Sequence, residues 1–154
     1  MKTTPGAPVQ TLPAELADSV GFLLGKAMQR AGGAAEAALT RYDLKARHYG
    51  VLLALREHGP SSQQEVADLL AIDRTTMANI VDDLERLGLA ERRPHPGNRR
   101  AHQVHLTERA SRELAGMIAA VRQADREWTV RLSAAEVGQL RSLLRRAVGP
   151  PLGD

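Results

Sequence analysis

Arginine is the residue whose placement most clearly suggests a chemistry in this sequence. Four arginines fall in one short segment with no acidic residue between them: Arg92, Arg93, Arg99 and Arg100. A guanidinium group carries a permanent positive charge and a planar set of N–H donors that fits phosphate oxygens. Because the net charge of the whole chain is only +3, we expect a polyanion to bind at this segment rather than over the surface as a whole.

A polar helix face just before the arginines is suited to contacting the edges of nucleic-acid bases. Asp73 is a favourable N-cap for this helix. Its apolar residues fall within one arc at about 100° per residue; they are Met77, Ile80, Val81, Leu84 and Leu87. The opposite face carries Thr75, Asn79, Asp82 and Arg86, with Arg74 and Thr76 flanking it. Its first residues are small and polar, so the face can approach bases closely, and an asparagine can form two hydrogen bonds with adenine.

A second, shorter helix is predicted immediately before this one and would position it. Ser62 and Glu65 have the spacing of a capping box, and residues 66–70 carry the apolar stripe of a half-buried helix. A tight turn at residues 71–73 joins the two helices, which fits a helix-turn-helix and equally an ordinary helical hairpin. In a helix-turn-helix, the N-terminus of the first helix would bind phosphate through Ser61, Ser62 and Gln63.

Two strands joined by turn residues follow the helix pair. They are predicted at Leu89–Pro94 and Ala101–Leu106, connected by residues 95–98. A protruding ribbon with arginines near its tip suits a narrow DNA minor groove, where the negative potential is enhanced; the alternative is a solvated basic loop. The helix pair and the hairpin together predict a winged helix-turn-helix DNA-binding domain at residues 41–107. We expect it to contact DNA through Arg74, Thr75, Thr76, Asn79, Arg86, Arg93, Arg99 and Arg100.

Helical segments on both sides of this domain predict a homodimer. A first helix is expected to begin near residues 11–13, and Gly32-Gly33 would either kink it or admit another backbone. Thr107 can cap a long helix that carries a heptad seam, and a capping box at Ser133 opens a final amphipathic helix. The seam consists of Leu114, Met117, Val121, Ala124 and Trp128.

Such apolar faces must be buried against another helix. Residues 11–40 and 108–148 would bury them against the same helices of a second copy, with twofold symmetry; the alternative is a bundle within one chain. Residues 1–10 lack periodicity and are expected to form a flexible arm.

Composition argues against several other functions. The chain has no cysteine, which excludes thiolate catalysis, and no nucleophile with a base and an orienting group is visible, so we do not expect an enzyme. The five histidines lack the short paired spacings of a zinc site, and we expect no metal and no cofactor. No apolar segment approaches the roughly 20 residues of a membrane span, and no signal-peptide pattern is visible. The expected location is the cytoplasm, with no membrane partner.

The order and spacing of several motifs resemble a known family. They are Leu44–Leu55, the helix pair, Leu87–Arg92, and Arg99-Arg100 leading to Val104–Thr107. Together the motifs are similar to the MarR-type (multiple antibiotic resistance regulator) family of bacterial transcriptional regulators, over roughly residues 14–147. The resemblance implies a mainly α fold with a small β-hairpin wing, in which long N- and C-terminal helices form the dimer.

Two positions depart from the pattern of that family. Asn98 stands where the family usually carries an aspartate in the wing, and Ala71 stands where the turn between the two helices often has glycine. The alanine is compatible with the turn if its φ is negative, and this is what we expect.

The resemblance also implies a regulatory mechanism. It indicates a repressor that binds a palindromic operator and is released by a small, often aromatic or anionic, effector. Family members bind effectors where the first, second and fifth helices meet, which here points to Tyr42, Arg47, His48 and Tyr49. The alternatives that the sequence leaves open are a metal-responsive and an effector-independent winged-helix DNA-binding protein.

Overall fold

Residues 12–149 are mainly α-helical and carry one β-hairpin, as the sequence predicted. The structure, a computed structural model, describes residues 12–149. The expected flexible arm at residues 1–10 lies outside the described residues, as does the side chain of Arg99. The elements are α1 (Ala14–Ala17), α2 (Val20–Leu39), a 3₁₀ turn (Thr40–Tyr42), α3 (Ala46–His58), α4 (Gln63–Leu69), α5 (Arg74–Arg86), β1 (Ala90–His95), β2 (Asn98–Leu106), α6 (Glu108–Trp128) and α7 (Ala134–Val148).

Side-chain caps set where most helices begin. Four of these caps were predicted, and each accepts a backbone N–H of the first helical turn: Ser62, Asp73, Thr107 and Ser133. A fifth cap, Ser19, accepts from the amide of Phe22 at 3.3 Å and separates α1 from α2. The helix is not broken at Gly32-Gly33, because α2 runs through both glycines, and within the described chain no other element lies within 4 Å of a Cβ built on either. A penalty of about 1 kcal/mol per glycine does not break a helix held by neighbouring elements.

The turn between α4 and α5 adopts a conformation that the sequence did not indicate. Ala71 has a φ of 51°, so the expectation of a negative φ is wrong. Its N–H bonds to the carbonyl of Asp68 at 3.3 Å, and the N–H of Ile72 bonds to the carbonyl of Ala67 at 2.9 Å. These two bonds form a Schellman motif, which places the residue after the C-cap in the left-handed region and usually employs glycine there.

The hairpin is longer at its tip than predicted and is attached to the helices. β1 and β2 pair antiparallel from Ala90 opposite Leu106 to His95 opposite Asn98. The predicted connector at residues 95–98 therefore shortens to Pro96-Gly97. A two-bond bridge between Ser61 and Val104, with N···O distances of 3.3 and 2.8 Å, fastens the middle of β2 to the segment before α4.

The core lies between the helix pair and the flanking helices. The predicted inner face of α5 is confirmed, since Met77, Ile80, Val81 and Leu84 are at most 1% exposed. The interpretation of the α6 seam as an interchain contact is wrong for Leu114 and Met117, which are 2% and 0% exposed and pack within the chain's own core. A periodic apolar face indicates that another element packs against it, but not which one. For α6, part of that packing comes from α2 and the core of the same chain.

Large apolar side chains remain uncovered in the single chain. They lie on α1, α2 and α7 and on the α6–α7 connection: Leu16, Val20, Leu23, Leu24, Met28, Val130, Leu132, Leu143 and Val148. Throughout its described length, residues 134–148, α7 buries no residue. No helix within residues 12–149 is long and apolar enough to cross a membrane.

Candidate nucleic-acid interface

The outward face of α5 is the exposed polar surface that the sequence predicted. Thr75, Asn79 and Arg86 are exposed, while the opposite face is buried. The N-terminus of the helix is fixed by Asp73, whose Oδ1 accepts the N–H of Thr76 at 2.8 Å. Hydrogen bonds from the hydroxyl and the amide of Thr76 hold the pKa of Asp73 below its usual value, so this cap is charged at neutral pH. The face is thus presented on a rigid, capped helix.

Arg74, which flanks this face, is held in place by hydrogen bonds to α4. Its Nε and Nη2 both donate to Gln64 Oε1, at 3.2 and 2.9 Å. Gln64 in turn donates from Nε2 to Asp68 Oδ1 at 2.6 Å. The guanidinium of Arg74 is therefore positioned against α4 and still has N–H groups directed elsewhere.

The residues predicted to bind phosphate at the N-terminus of α4 already have partners within the chain. Ser61 is held through its backbone by Val104 and donates its hydroxyl to the carbonyl of Gly59 at 3.0 Å. Ser62 forms the capping box, in which Glu65 accepts its N–H at 2.7 Å. Gln63 Oε1 accepts from Arg92 Nε at 3.0 Å. Any phosphate at this position would compete with the Glu65 carboxylate for the amide of Ser62.

Arg92 has a different role from the one that its place in the arginine cluster suggested. Its Nη2 lies 2.7 Å from Asp82 Oδ1, and its Nη1 forms an ion pair with Glu85. The backbone N–H of Arg92 also donates to Glu85 Oε1 at 2.7 Å. One guanidinium thus joins β1, α4 and α5, and its charge is compensated locally. Asp82 and Glu85 lie three residues apart on the helix that leads into the strand, but the sequence pattern did not identify them as partners of Arg92.

The hairpin presents fewer uncompensated arginines than the sequence suggested. Arg93 is exposed and paired with Glu91 on the same strand. Arg100 is exposed, and its backbone N–H is accepted by Asn98 Oδ1 at 3.1 Å, so the asparagine still makes a local bond at the wing tip. The backbone of Arg99 belongs to β2. Arg100 also borders a groove of about 570 Å³ between the hairpin and the helix pair. The groove is lined by Gln63, Gln64, Ala67, Arg74, Met77, Arg100 and His102.

The four candidate effector residues face different parts of the molecule. The hydroxyl of Tyr42 accepts from Arg41 Nη2 at 2.7 Å and lies against α6, where a Cβ on Gly116 would stand 2.7 Å from it. Tyr49 is half-buried, and this burial raises the pKa of its phenol, while the charges of Arg56 and Arg122 act in the opposite direction. Arg47 is exposed.

His48 is buried and bonded at both ring nitrogens. Its Nδ1 accepts the N–H of Lys45 at 2.9 Å, so Nε2 carries the hydrogen and donates to Asp83 Oδ2 on α5 at 3.2 Å. Burial lowers the pKa of His48, although the Asp83 carboxylate acts to raise it. The tyrosines thus turn toward α6 and His48 toward α5, and none of the four candidates lines the groove beside Arg100.

A second groove, of about 610 Å³, lies between the end of α6 and α7. Its apolar lining includes Trp128, Val130, Leu140 and Leu144, and arginines stand at its edge. In the described part of the chain, no group of three or more histidine, aspartate or glutamate side chains is arranged to hold a metal ion.

Comparison with known proteins agrees with this architecture. Residues 42–101 match the model of the MarR family. The chain is 36% identical to the HTH-type transcriptional repressor NicR of Pseudomonas putida over 148 residues, which cover 96% of this chain and 94% of NicR.

Two solved structures are also similar. The transcriptional repressor CouR bound to a 23-mer DNA duplex superposes with a TM-score of 0.84 and 27% identity, covering 91% of this chain and all of that one. BpsR of Bordetella bronchiseptica, whose DNA binding is regulated by 6-hydroxynicotinic acid, superposes with a TM-score of 0.78 and 28% identity, covering 88% of this chain and 97% of that one. From the capped helix α5, the attached hairpin and these likenesses we conclude that the chain belongs to the MarR family of transcriptional regulators.

Proposed function

We propose that this regulator is a homodimeric repressor that binds a palindromic DNA operator and is released by a small organic effector. The observation that carries the proposal is the geometry of α5. One face of this helix is fixed in the core, and the other presents exposed small polar side chains beside a hairpin that carries arginine. A helix held in this way fits the major groove, while the hairpin reaches the adjacent minor groove.

Within this arrangement the candidate residues divide into two classes. Thr75, Thr76 and Asn79 stand at the beginning of α5, the part of a reading helix that approaches base edges. The remaining candidates would contact the sugar-phosphate backbone or the minor groove and position the protein without specifying sequence: Ser61, Ser62, Gln63, Arg74, Arg86, Arg93, Arg99 and Arg100. Residues 41–107 would then form the DNA-binding domain.

The exposed apolar side chains of the terminal helices support the homodimer. Val20 and Met28 on α2 are 71% and 74% exposed in the single chain, and Val148 on α7 is 63% exposed. Covering them with residues 11–40 and 108–148 of a second copy would bury more than the standard interface of about 1,600 Å². Twofold symmetry would set the two α5 helices about 34 Å apart, one turn of DNA.

Release by an effector is supported by two relatives and by the chemistry of α3. A solved structure of CouR from Rhodococcus jostii RHA1 contains p-coumaroyl-CoA, and BpsR responds to 6-hydroxynicotinic acid. In this chain Tyr42 and Tyr49 offer aromatic surface near the junction of α3 with α6. Arg47 is an exposed cation on the same helix, and the buried ring of His48 links that helix to α5. An aromatic carboxylate that binds there more tightly in the DNA-free form would shift the protein away from the operator.

Selection of bound fragments from the source genome followed by affinity measurement tests the proposal. We expect one discrete inverted-repeat site, bound far more tightly than random DNA at the same salt concentration. Thr75→Ala or Asn79→Ala should cost about 1–3 kcal/mol on that site and little on random DNA. Equal losses on both DNAs would mean that these side chains do not contact bases.

The wing is tested by the salt dependence of binding. Arg100→Ala should reduce the slope of log K against log salt by about one unit if it removes one phosphate contact. Arg131→Ala, which removes an exposed arginine from the loop between α6 and α7, is the matched control and should leave the slope unchanged. Equal slopes for both variants would remove Arg100 from the interface.

A further inference from the structure

A chain of hydrogen bonds joins the beginning of α3 to the outward face of α5. The N–H of Lys45 fixes the tautomer of His48, and His48 Nε2 donates to Oδ2 of Asp83 at 3.2 Å. The other oxygen of the same carboxylate, Oδ1, accepts from Arg86 Nη2 at 3.1 Å. Asp83 therefore uses one oxygen to bond α3 and the other to hold an arginine on its own helix.

This chain leads from the interior to the surface. His48 is 3% exposed, whereas the side chain of Arg86 is 70% exposed. The hydrogen bond from Arg86, and after it that from His48, lowers the pKa of Asp83, so the carboxylate is charged. A neutral buried ring thus orients a carboxylate whose charge is balanced by the surface guanidinium.

Arg86 lies on the outward face of α5 together with Asn79 and Thr75. We propose that His48 and Asp83 are positioning residues for Arg86, and that this connection transmits changes in α3 to the DNA-contacting face of α5. The inference rests on the proposed function, because it takes the outward face of α5 to be the face that meets DNA. A long arginine side chain that is oriented before binding loses less conformational freedom when it meets a phosphate.

The connection also places the regulatory candidates in contact with the DNA-reading element. Arg47 and Tyr49 are the neighbours of His48 in α3. A ligand that moved this part of α3, or that accepted the hydrogen of His48 Nε2, would release Asp83 and with it Arg86. The effector would then alter the contacts of α5 directly, in addition to any change in the spacing of the two reading helices.

Two substitutions of His48 separate the positioning role from the capping of α3. His48→Gln keeps a donor near the position of Nε2, which faces Asp83, whereas His48→Asn keeps an acceptor near the position of Nδ1, which faces the Lys45 amide. We expect His48→Asn to weaken operator binding by up to about tenfold, the cost of immobilising one long side chain on binding, and His48→Gln to restore most of it. If the ring serves only to cap α3, the order of the two variants will be reversed.

Asp83→Asn separates positioning from simple repulsion. An unpaired carboxylate on a DNA-facing helix would repel phosphate, so its removal would tighten binding to every DNA. We expect weaker operator binding instead, and we expect the effects of His48→Asn and Asp83→Asn to vanish in an Arg86→Ala background. Tighter binding by Asp83→Asn, or losses that persist without Arg86, would overturn the inference.

Side-chain NMR of the DNA-free protein tests the positioning of Arg86 independently of DNA binding. The Nε–Hε signal of Arg86 should show restricted motion in the wild type and in His48→Gln, and greater motion in His48→Asn. If the wild type binds no DNA, the proposed function fails, while this measurement still decides whether His48 orients Arg86. Equal Arg86 mobility in all three proteins would refute the positioning role even if DNA binding is intact.

Discussion

Replacing Ala71 with glycine should stabilise the protein, although it removes a methyl group. Ala71 has a φ of 51° in the Schellman motif that ends α4. A residue with a Cβ is about 1–2 kcal/mol less favourable than glycine in the left-handed region. Glycine in turn loses about 0.5–1 kcal/mol more conformational entropy on folding. The difference predicts a gain of about 0.5–1 kcal/mol in the free energy of unfolding for Ala71→Gly.

Urea denaturation at a fixed protein concentration measures this gain. The midpoint should rise without a change in the m-value, since the surface exposed on unfolding is the same. Ala37→Gly, at an exposed position inside α2, is the matched control and should destabilise by about 1 kcal/mol. If Ala71→Gly lowers the midpoint as much as Ala37→Gly does, the backbone at residue 71 is not left-handed and the assigned turn is wrong.

Three further perturbations test the wing, the buried histidine and the dimer. Arg92→Met should destabilise the protein by about 1–2 kcal/mol, because it leaves Asp82 and Glu85 without their partner; the partial exposure of all three side chains to solvent keeps the loss to this size. Hydrogen exchange should show faster opening of β1, and unchanged exchange there would contradict the attachment. Because the pKa of His48 is lowered in the folded state, the unfolded chain takes up a proton at a higher pH than the folded chain does. The stability present above pH 6.5 should therefore fall as the pH decreases through the pKa of the folded state. The urea midpoint of His48→Gln should vary less between about pH 7.5 and 5.5 than that of the wild type, and equal variation would assign this dependence to other groups. Leu140→Glu should convert the dimer into monomers and abolish operator binding, although residue 140 is remote from α5 in the sequence; a mutant dimer in sedimentation equilibrium would place the interface elsewhere.

The elements and their local ends were predictable because they depend on neighbours in the sequence. The capping serine at residue 62 and the aspartate at 73 lie three positions before the amides they accept, and the inner face of α5 follows from the helical repeat alone. The exposed positions of Thr75, Asn79 and Arg86 follow from the same repeat. These features needed no knowledge of the tertiary structure.

The partners of charged groups were not predictable in this way. Arg92 contacts Gln63 from a position 29 residues away, and no periodicity indicates which acids will meet a strand arginine. The heptad pattern of α6 predicted an apolar face but not the element that packs against it. For Met117 that element is the chain's own core. The left-handed φ of Ala71 was missed because its residue type argues against the conformation that the two turn hydrogen bonds impose.

The bridge between Ser61 and Val104 has a consequence for how this regulator can diverge. Both of its bonds join main-chain atoms, so the attachment of the hairpin does not depend on which side chain occupies either position. A residue other than proline, which lacks the N–H, keeps the donor and acceptor of both bonds when it replaces Ser61, although the hydroxyl bond to Gly59 is lost. Natural selection can therefore vary the side chain at this edge of the α4 N-terminus while the backbone link between hairpin and helices is inherited unchanged; under the proposed function, this would let the protein adapt to a new operator.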